Sequence, residues 1–582
     1  MVRGRVRRLV VLPLAVVIGL VVVVFAWQAL HARSALLDAA DDATVLQQQL
    51  ADGDTDTIDI TLASLQQSTA SARDATDGVL WDLGARLPVA GPSVDAVQTV
   101  ADELDRVATE ALPPIVALAG DIDAGAFSPR DGRVDVEPLT AAAPRLGAAT
   151  AALSASDRAL EGLDVGALLL PLKGPVQTAQ QTIASAAAVA SNADLAARLL
   201  PDAVGSTGTR RYLLLNQNSA EVRPLGGIPG SFAILTAQQG RLSITDQGSI
   251  QDLPTFDEPV VTMTDDERAV FPTSLATDIR DVTITPDFPR AAQIAARMVQ
   301  RKLGVTVDGV IAVDPVALGY QLTGLGPVRV TDAITLDRDN AVDVLLNRVY
   351  ADFSPTEQDD FFERANRAVF SAFTAGRGEP VTLLRGLVRS VDEKRVLVWM
   401  RRPAEQRLIA PTDLSGAQAA ADDGVPRVGI YFSDAASTKM EYYLRASSTM
   451  VSTNCLEGGR QVLSTATEVQ STAPASGVPS YVTGDGRFVE RGSMRLNVRL
   501  MSPVGGHFTS VRVDGDPQTV YADRWHGRNV TRVSLLLKPG QTVRLAANVT
   551  SARGQTGDAV FSTTPGIESL RNDYAVASAC AD

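Results

Sequence analysis

Residues Arg210 to Asp252 have the sequence RRYLLLNQNSAEVRPLGGIPGSFAILTAQQGRLSITDQGSIQD, and this stretch decides how the central part of the chain folds. It contains short apolar runs bounded by turn-forming residues, which predict strands at Tyr212 to Leu215, Ser231 to Thr236 and Leu242 to Thr245. The crossing between the first two is rich in glycine and proline, and glycine lets backbone N–H groups approach a ligand or close a turn. Gly226 and Gly227 therefore form either a backbone cradle for a ligand or the turn of a hairpin.

Length, composition and charge limit the classes of protein. The chain has 582 residues, which is too long for one hydrophobic core and predicts several domains. Its net charge of −14 and aromatic content of 5% argue against nucleic-acid binding, which needs a broad basic surface and rings that stack on bases. We therefore expect no nucleic-acid partner. The 3 histidines show no metal-ligand spacing, so we also expect no zinc site.

The N-terminus has the pattern of a membrane anchor. Four arginines precede an uncharged apolar run from Leu9 to Trp27, which as a helix would span about 28 Å, close to a bilayer core. Because basic residues stay on the cytoplasmic side, we predict a basic tail and transmembrane signal anchor at residues 1–30. The protein would then be single-pass in the cell membrane, with a cytoplasmic N-terminus and its bulk extracytoplasmic. The alternative is a cleaved signal peptide.

The next region, residues 31–204, is rich in alanine and has apolar residues at helical spacing, for example Leu36, Ala40, Ala43 and Leu46. This pattern predicts an all-α stalk or bundle. Such a region either supports the rest of the chain, with self-association as one outcome, or forms a helical platform for a partner.

The rest of the chain divides into two regions by pattern. Strands alternate with helices from residue 205 to residue 424, as in the segment from Val307 to Val330, and this predicts an α/β domain. From residue 425 to residue 582, short strand-like runs recur between glycine, proline and aspartate turns, which predicts a β-sandwich. Cys455 and Cys580 are the only cysteines, and a disulfide is expected if this region lies outside the cytoplasm; two unpaired thiols are the alternative.

A helix predicted within Asn340 to Thr374 carries charged residues on one face. Asp360, Arg364 and Arg367 have the spacing i, i+4, i+7, which places them on the same side. Arg364 and Arg367 together could grip a phosphate or carboxylate with two forked sets of donors. The alternative is a solvated face with an Asp360–Arg364 ion pair.

Several motifs resemble a known family. The segments RYLLLNQNSAEVRPLGGIPGSF, GRLSITDQGSI and VDGVIAVDPVALGYQLTGLGPV are similar to those of the bacterial membrane-anchored family called domain of unknown function 4012. The N-x-x-E-x-R-P-x-G-G core begins at Asn218 and includes Glu221 and Arg223. That family has no settled activity.

The central region is also similar, more distantly, to the LytR-CpsA-Psr phosphotransferases, which attach polyprenyl-pyrophosphate-linked glycopolymers to the cell wall. The matching layout includes VDGVIAVD, LTGLGPVRV and ITLDRDNAVDVLLNR, followed by an acidic loop and R-x-x-R. This resemblance implies a LytR-CpsA-Psr-like α/β fold and an anion site formed by Arg223, Arg348, Arg364 and Arg367.

The same resemblance implies a divalent metal, Mg²⁺, with candidate ligands at Asp252, Asp359 and Asp360. Three positions depart from the enzymes. Gly248-Ser249-Ile250 replaces a Pro-Arg-Asp triplet, Gly230-Ser231 stands where those enzymes have an aspartate, and Ala368 replaces a glutamine. Such losses remove charge that phosphoryl transfer would need, so catalysis is left open.

Three hypotheses of function follow. The first is an envelope protein that binds an anionic ligand, a lipid-pyrophosphate or glycopolymer, during export or attachment of surface polysaccharide. The second is a Mg²⁺-dependent glycopolymer phosphotransferase that uses the same arginines. The third is a non-catalytic structural or scaffolding protein of the envelope, in which each arginine pairs with a local carboxylate.

Overall fold

The computed structural model of the chain describes residues 3–52, 57–121, 129, 132–419, 421–521, 523–568 and 573–580. The side chains of residues 3–22, 50–52, 119–121 and 573 are outside this description. The chain forms two compact units, Met1–Ala126 with Val136–Asp202, and Phe127–Asp135 with Ala203–Asp582. The finer division of residues 31–582 into three domains stays a prediction.

The first unit is built of helices, as predicted. They are α1 (Arg3–Asp52), α2 (Ile58–Thr76), α3 (Val79–Ala85), α4 (Gly91–Arg106), α5 (Leu112–Asp121), α6 (Glu137–Glu161) and α7 (Leu170–Ala203). A π-helical turn, Val107–Ala111, joins α4 to α5, and a 3-10 turn, Val165–Ala167, precedes α7. Small side chains let the helices approach closely, and the fully buried alanines include Ala96, Ala101, Ala111 and Ala149.

The predicted membrane anchor is wrong. Within the described residues, no helix has a stretch long and apolar enough to cross a membrane. Farther along α1, the helix carries Asp38, Asp41 and Asp42 and buries small residues such as Ala35 and Ala39, so this part is an amphipathic helix of the first unit. Three predictions are therefore wrong: the transmembrane helix, the single-pass membrane location and the membrane as a partner. Most of the predicted apolar run lies among the residues whose side chains are not described.

The second unit begins with a mixed sheet. Its α/β region contains β1 (Arg210–Arg223), β2 (Gly226–Gln238), β3 (Arg241–Ser249), β4 (Gly309–Val313), β5 (Val328–Arg329), β6 (Thr335–Leu336) and β7 (Val396–Met400). The sheet order is β3-β2-β1-β4-β7, while β5 and β6 pair with each other. Within the sheet β1 and β4 are parallel, and the other neighbouring strands are antiparallel.

Helices surround this sheet: α8 (Asp265–Val270), α9 (Ser274–Thr277), α10 (Phe288–Leu303), α11 (Pro315–Leu325), α12 (Ala341–Asp343), α13 (Val349–Asp352), α14 (Pro355–Thr374), α15 (Pro380–Asp392) and α16 (Pro403–Ile409). A π-helical turn, Val344–Arg348, joins α12 to α13, and 3-10 turns lie at Ile250–Asp252, Ile279–Ile284 and Asp413–Ser415. Proline stands in the first turn of α14 and α15, where its missing N–H costs nothing.

The strand-rich C-terminal region is also as predicted. It contains β8 (Arg427–Asp434), β9 (Leu444–Leu456), β10 (Arg460–Ser471), β11 (Met494–Val504), β12 (His507–Val513), β13 (Asp516–Pro517), β14 (Asp523–Trp525), β15 (Arg528–Leu537), β16 (Thr542–Thr550), β17 (Ala559–Thr563) and β18 (Asp573–Val576). Two sheets result, with the orders β13-β12-β16-β10-β9 and β14-β15-β11-β8-β17-β18. A 3-10 turn, Met440–Tyr443, and the short helix α17 (Ser480–Thr483) complete the region.

The α/β region and the sandwich share hydrophobic packing. Tyr431, Met501 and Trp525 of the sandwich lie in the same buried cluster as Phe271 and Phe288 of the α/β region. The rings of Phe271 and Trp525 meet edge to face, with 5.4 Å between centroids.

The predicted disulfide between Cys455 and Cys580 is confirmed. It joins the end of β9 to the segment after β18 and has a sequence separation of 125 residues.

Candidate functional site

A bulge in β1 organises the candidate site. Asn218 pairs with Ile228 of β2, but the next pair is Val222 with Gly227, so the three residues from Ser219 to Glu221 have no partner on β2. A bulge of this kind bends a strand and redirects its side chains. Here it carries Ser219 and Glu221 toward the sandwich, where the 3-10 turn Met440–Tyr443 packs against β1.

The Asn218 side chain holds the bulge in shape. Its Oδ1 atom accepts a hydrogen bond from the backbone N–H of Ala220 at 3.1 Å, which closes an Asx turn. Its Nδ2 atom donates to Glu221 Oε1 at 3.0 Å and to the Tyr350 hydroxyl at 3.1 Å. This first residue of the N-x-x-E-x-R motif thus ties the bulge to the helix α13.

Glu221 forms an ion pair with Lys439 of the sandwich. Both side chains are mostly buried, with exposed fractions of 16% and 14%. The Lys439 ammonium also lies 4.8 Å from the ring centroid of Tyr350 and 5.4 Å from that of Tyr481. Burial opposes the charge of Lys439, yet Glu221 leaves the pKa of this lysine raised. The glutamate of the motif therefore joins the α/β region to the sandwich.

Arg223 ends β1 and also faces the sandwich. Its Nη1 atom donates to the backbone carbonyls of Val222 at 3.1 Å and Asp434 at 3.4 Å, while Nη2 lies 3.4 Å from the Asp281 carboxylate. The Nε atom is buried and has no hydrogen-bond partner. These hydrogen bonds are long for a charged group, so the guanidinium can still donate hydrogen bonds to another acceptor.

Arg499 of β11 is the second arginine of this cluster. It is 4% exposed, donates one hydrogen bond to Ser433 at 3.2 Å, and its Nε atom has no partner. Its guanidinium carbon lies 5.4 Å from the centroid of the Phe271 ring. No ion pair involves Arg499 in the part of the chain that the structure describes.

The environment of Arg499 is positive. Arg532 is its register partner on β15, and Arg223 approaches from β1. Burial lowers the pKa of Arg499 to about 10, and the charges of Arg532 and Arg223 add to this effect against a weaker opposing effect from Asp281. We call Arg223, Arg499 and Arg532 the arginine cluster.

Gly226 and Gly227 serve the hairpin between β1 and β2. Gly226 has a φ of +118°, which favours glycine, and a Cβ atom on Gly227 would lie 2.3 Å from the backbone oxygen of Asn218. The backbone oxygen of Gly227 accepts a hydrogen bond from Thr283 at 3.0 Å. Of the two interpretations of these glycines, the hairpin turn accounts for their geometry; a role as a backbone cradle stays a prediction.

The other arginines predicted to bind the anion have different neighbours. Arg348 is 55% exposed and lies 3.9 Å from Asp352, and Arg367 is 60% exposed and bonds to Glu363 at 2.8 Å. Arg364 is exposed and has no ion pair among the described residues. None of these three shares a hydrogen-bond partner with Arg223 in the described part of the chain, so their convergence on one ligand stays a prediction.

Two of the candidate metal ligands, Asp252 and Asp359, bond to the same residue, Ser249. Asp252 accepts a hydrogen bond from the backbone N–H of Ser249 at 3.1 Å, and Asp359 on α14 also bonds to Ser249. Partial burial raises the pKa of Asp359, and Asp252, Glu363 and Asp360 raise it further by repulsion. The described residues nevertheless contain no group of three or more side chains placed to hold a metal ion, so Mg²⁺ binding here stays a prediction.

The sequence did not indicate Lys439, Arg499 or Arg532 as members of a site. The run MRLNVRLM at β11 alternates apolar and polar residues, which places Arg499 on the face opposite the sandwich core. An outward residue of a sandwich strand is expected to be solvated. Arg499 is buried instead because the α/β region covers this face with Phe271.

Comparisons with known proteins support one family. Residues 207–350 match the family model described as a protein of unknown function (DUF4012). No curated protein and no solved structure matches the chain. The likeness to LytR-CpsA-Psr phosphotransferases therefore finds no support, and the glycopolymer or polyprenyl-linked glycan partner inferred from it is withdrawn. The predicted resemblance to domain of unknown function 4012 is confirmed over residues 207–350, which are similar to the members of this family.

Proposed function

We propose that the protein binds an anionic ligand at the arginine cluster of Arg223, Arg499 and Arg532. The observation that carries this proposal is the state of Arg499, a buried guanidinium with one hydrogen bond to a neutral hydroxyl and no carboxylate partner. A buried charge is costly unless an opposite charge and hydrogen bonds compensate for it. A bound anion would supply both.

The charges around the cluster favour this interpretation. The neighbours that lower the pKa of Arg499 are Arg532 and Arg223, and the nearby carboxylate, Asp281, is already bonded to Arg223. Around Arg499 itself, the positive charges of Arg532 and Arg223 therefore outweigh the negative charge of Asp281. Elsewhere in the second unit, buried arginines have their own carboxylates, as Arg210 has Glu405 and Arg528 has Asp422.

The chemistry of guanidinium groups narrows the class of ligand. Each guanidinium presents a planar fork of N–H donors that matches two oxygens of a phosphate or a carboxylate. Arg532 is exposed and Arg223 is partly exposed, so a ligand in solvent can contact these two arginines beside the buried Arg499. We therefore infer a phosphate- or carboxylate-bearing ligand and a binding function.

The proposal is tested by calorimetric titration of the full chain with inorganic pyrophosphate. Arg532→Ala removes one fork from an exposed position and should weaken binding about ten-fold, the effect expected for a charge-assisted hydrogen bond. Arg364→Ala is the matched control, because it removes an exposed arginine without an ion pair from α14.

Equal loss of affinity in both variants would indicate nonspecific attraction and would contradict the proposal. A loss in Arg364→Ala alone would favour the arginines predicted from the sequence. If pyrophosphate and citrate, a carboxylate probe, both fail to bind, the cluster has a structural role and the scaffolding hypothesis is favoured.

A further inference from the structure

A cavity of about 280 Å³ lies inside the second unit, separate from the arginine cluster. The bulge of β1 forms one wall through Ser219 and Val222, and the sandwich forms the others. Phe432 and Leu444 give the cavity apolar surface, while Glu441 is a polar group of its lining. The volume corresponds to a small ligand or to the end of a longer one.

Glu441 has an unusual state for a buried acid. It belongs to the 3-10 turn Met440–Tyr443 and is 2% exposed. Both of its carboxyl oxygens are buried, and neither has a hydrogen-bond partner on another residue. Buried polar groups in folded proteins are almost always paired, so an unpaired carboxyl beside a cavity indicates a missing partner.

Ser219 supplies a second unpaired group to the same cavity. It is 3% exposed, and its hydroxyl is buried with no hydrogen-bond partner. The bulge of β1 is the reason that this side chain reaches the cavity, because a regular strand would pair Ser219 with β2. The lining thus offers three unsatisfied acceptor atoms, the two oxygens of Glu441 and the hydroxyl of Ser219.

We propose that this cavity binds the ammonium group of an aliphatic amine, with Glu441 and Ser219 as its hydrogen-bond acceptors and Val222, Phe432 and Leu444 as the contact surface for its hydrocarbon. An ammonium group carries three donors and no acceptor, and it can donate to the two carboxylate oxygens of Glu441 and to the hydroxyl oxygen of Ser219. An aliphatic chain suits the apolar walls.

The charges that face Glu441 favour a cation over an anion. Asp434 of β8 and Glu221 of β1 repel negative charge, and Arg223 of β1 opposes them. Lys439 is held by Glu221, and Glu568 in the lining is paired with Arg445. Glu441 is therefore left without a cation of its own.

Proton linkage gives the proposal a signature. Burial raises the pKa of Glu441 well above that of an ordinary glutamic acid, and Asp434 and Glu221 raise it further. Without a bound cation, Glu441 therefore keeps its proton to a higher pH than an ordinary glutamic acid does. An ammonium group must displace this proton, so binding releases one proton and becomes tighter as pH rises toward the raised pKa.

The test is calorimetric titration of the full chain with n-pentylamine, 1-pentanol and pentanoate, which share their hydrocarbon and differ in the head group. We expect n-pentylamine to bind at least about ten-fold more tightly than 1-pentanol and pentanoate not to bind. Repeating the amine titration in buffers with different heats of ionisation should show release of one proton.

Three substitutions and one control locate the binding. Glu441→Gln keeps the shape of the side chain and should weaken amine binding about ten-fold or more while leaving 1-pentanol unchanged. Ala446→Phe fills the cavity and should abolish binding of both, whereas Thr449→Phe, an exposed position on the same strand that does not line the cavity, is the control. Ser219→Ala gives a second variant with a smaller change in volume and should weaken the amine alone.

The proposal is overturned if 1-pentanol binds as tightly as n-pentylamine, if Glu441→Gln binds the amine like the natural chain, or if no probe binds. A circular dichroism spectrum of each variant separates lost binding from lost folding. None of these substitutions changes the arginine cluster, so failure of amine binding can be distinguished from failure of anion binding.

Discussion

Buried charges in the second unit have two contrasting environments. At Arg395 every charge has a partner: the guanidinium bonds to Asp314 at 2.8 Å and to Glu393 at 2.6 Å, and it also donates to the backbone carbonyls of Gly566 and Glu568. At Glu441 a carboxyl of similar burial has none. The first arrangement stabilises the fold, whereas the second leaves a cost that the fold alone does not repay. The difference separates charges that hold the structure together from charges that await a ligand.

Removing the centre of the paired network should have the largest effect. Arg395→Met keeps the volume but leaves Asp314 and Glu393 buried without a cation, and it should lower the free energy of unfolding by about 3–5 kcal/mol. Chemical denaturation followed by circular dichroism measures the change. Arg389→Met is the control, because Arg389 bonds to the same Glu393 from a position that is 54% exposed, and its loss should cost less than about 1 kcal/mol. Equal effects would show that burial does not distinguish the two arginines.

An intermediate effect is expected at the ion pair of the family motif. Lys439→Met leaves Glu221 without its cation and should cost about 2 kcal/mol, as for other hydrogen bonds to charged groups. The double variant Lys439→Met, Glu221→Gln should regain part of that loss, because no charge is then left unpaired. Lys538→Met, whose partner Glu490 lies 3.8 Å away in an exposed pair, is the matched control for thermal unfolding. A double variant less stable than the sum of the single changes would contradict the ion-pair interpretation.

Replacing Glu441 should stabilise the chain at high pH, whereas replacing Arg395 or Lys439 should destabilise it. The folded chain holds the proton of Glu441 more tightly than the unfolded chain, because burial raises its pKa. Stability should therefore fall as pH rises above the ordinary pKa of a glutamic acid, and Glu441→Gln should remove that loss. Melting temperatures at about pH 5 and about pH 8 measure it. The melting temperature of Glu441→Gln should exceed that of the natural chain by more at the higher pH than at the lower pH. A difference in melting temperature that does not change with pH would mean that Glu441 has a partner.

The smallest effect belongs to the exposed arginine of α14. Arg364→Ala removes a side chain without an ion pair in the described residues, so stability should change by less than about 0.5 kcal/mol. Thermal unfolding gives the number. A larger loss of stability would show that Arg364 makes a stabilising contact although its side chain is exposed.

Local pattern predicted much of the fold. Apolar runs and turn formers indicated β1, β2 and β3, and the helix expected within Asn340 to Thr374 contains α14. These elements follow from side-chain periodicity and backbone preferences within a few residues. The polar end of β1 was not expected to be strand, because the bulge from Ser219 to Glu221 depends on contacts with the sandwich rather than on local pattern.

The sites depended on distant contacts and were harder to predict. Arg223 was identified from its motif, but its neighbours Arg499 and Arg532 lie in the sandwich and have no recognisable spacing relative to it. Glu441 gave no signal, since a single glutamate beside two tyrosines is ordinary in sequence. The membrane anchor was wrong, since within the described residues no helix has a stretch long and apolar enough to cross a membrane, and α1 continues past the apolar run with Asp38, Asp41 and Asp42.

The disulfide has a consequence for chains kept in reducing solution. β18 is a short strand at the edge of its sheet, and its Tyr574 lines the cavity and donates to the backbone of Ser448 in β9. Cys580 fastens the chain just beyond this strand to the end of β9. Reduction would let this edge strand fray and open the cavity to solvent. The redox state of the solution would then control the dissociation rate of a bound ligand.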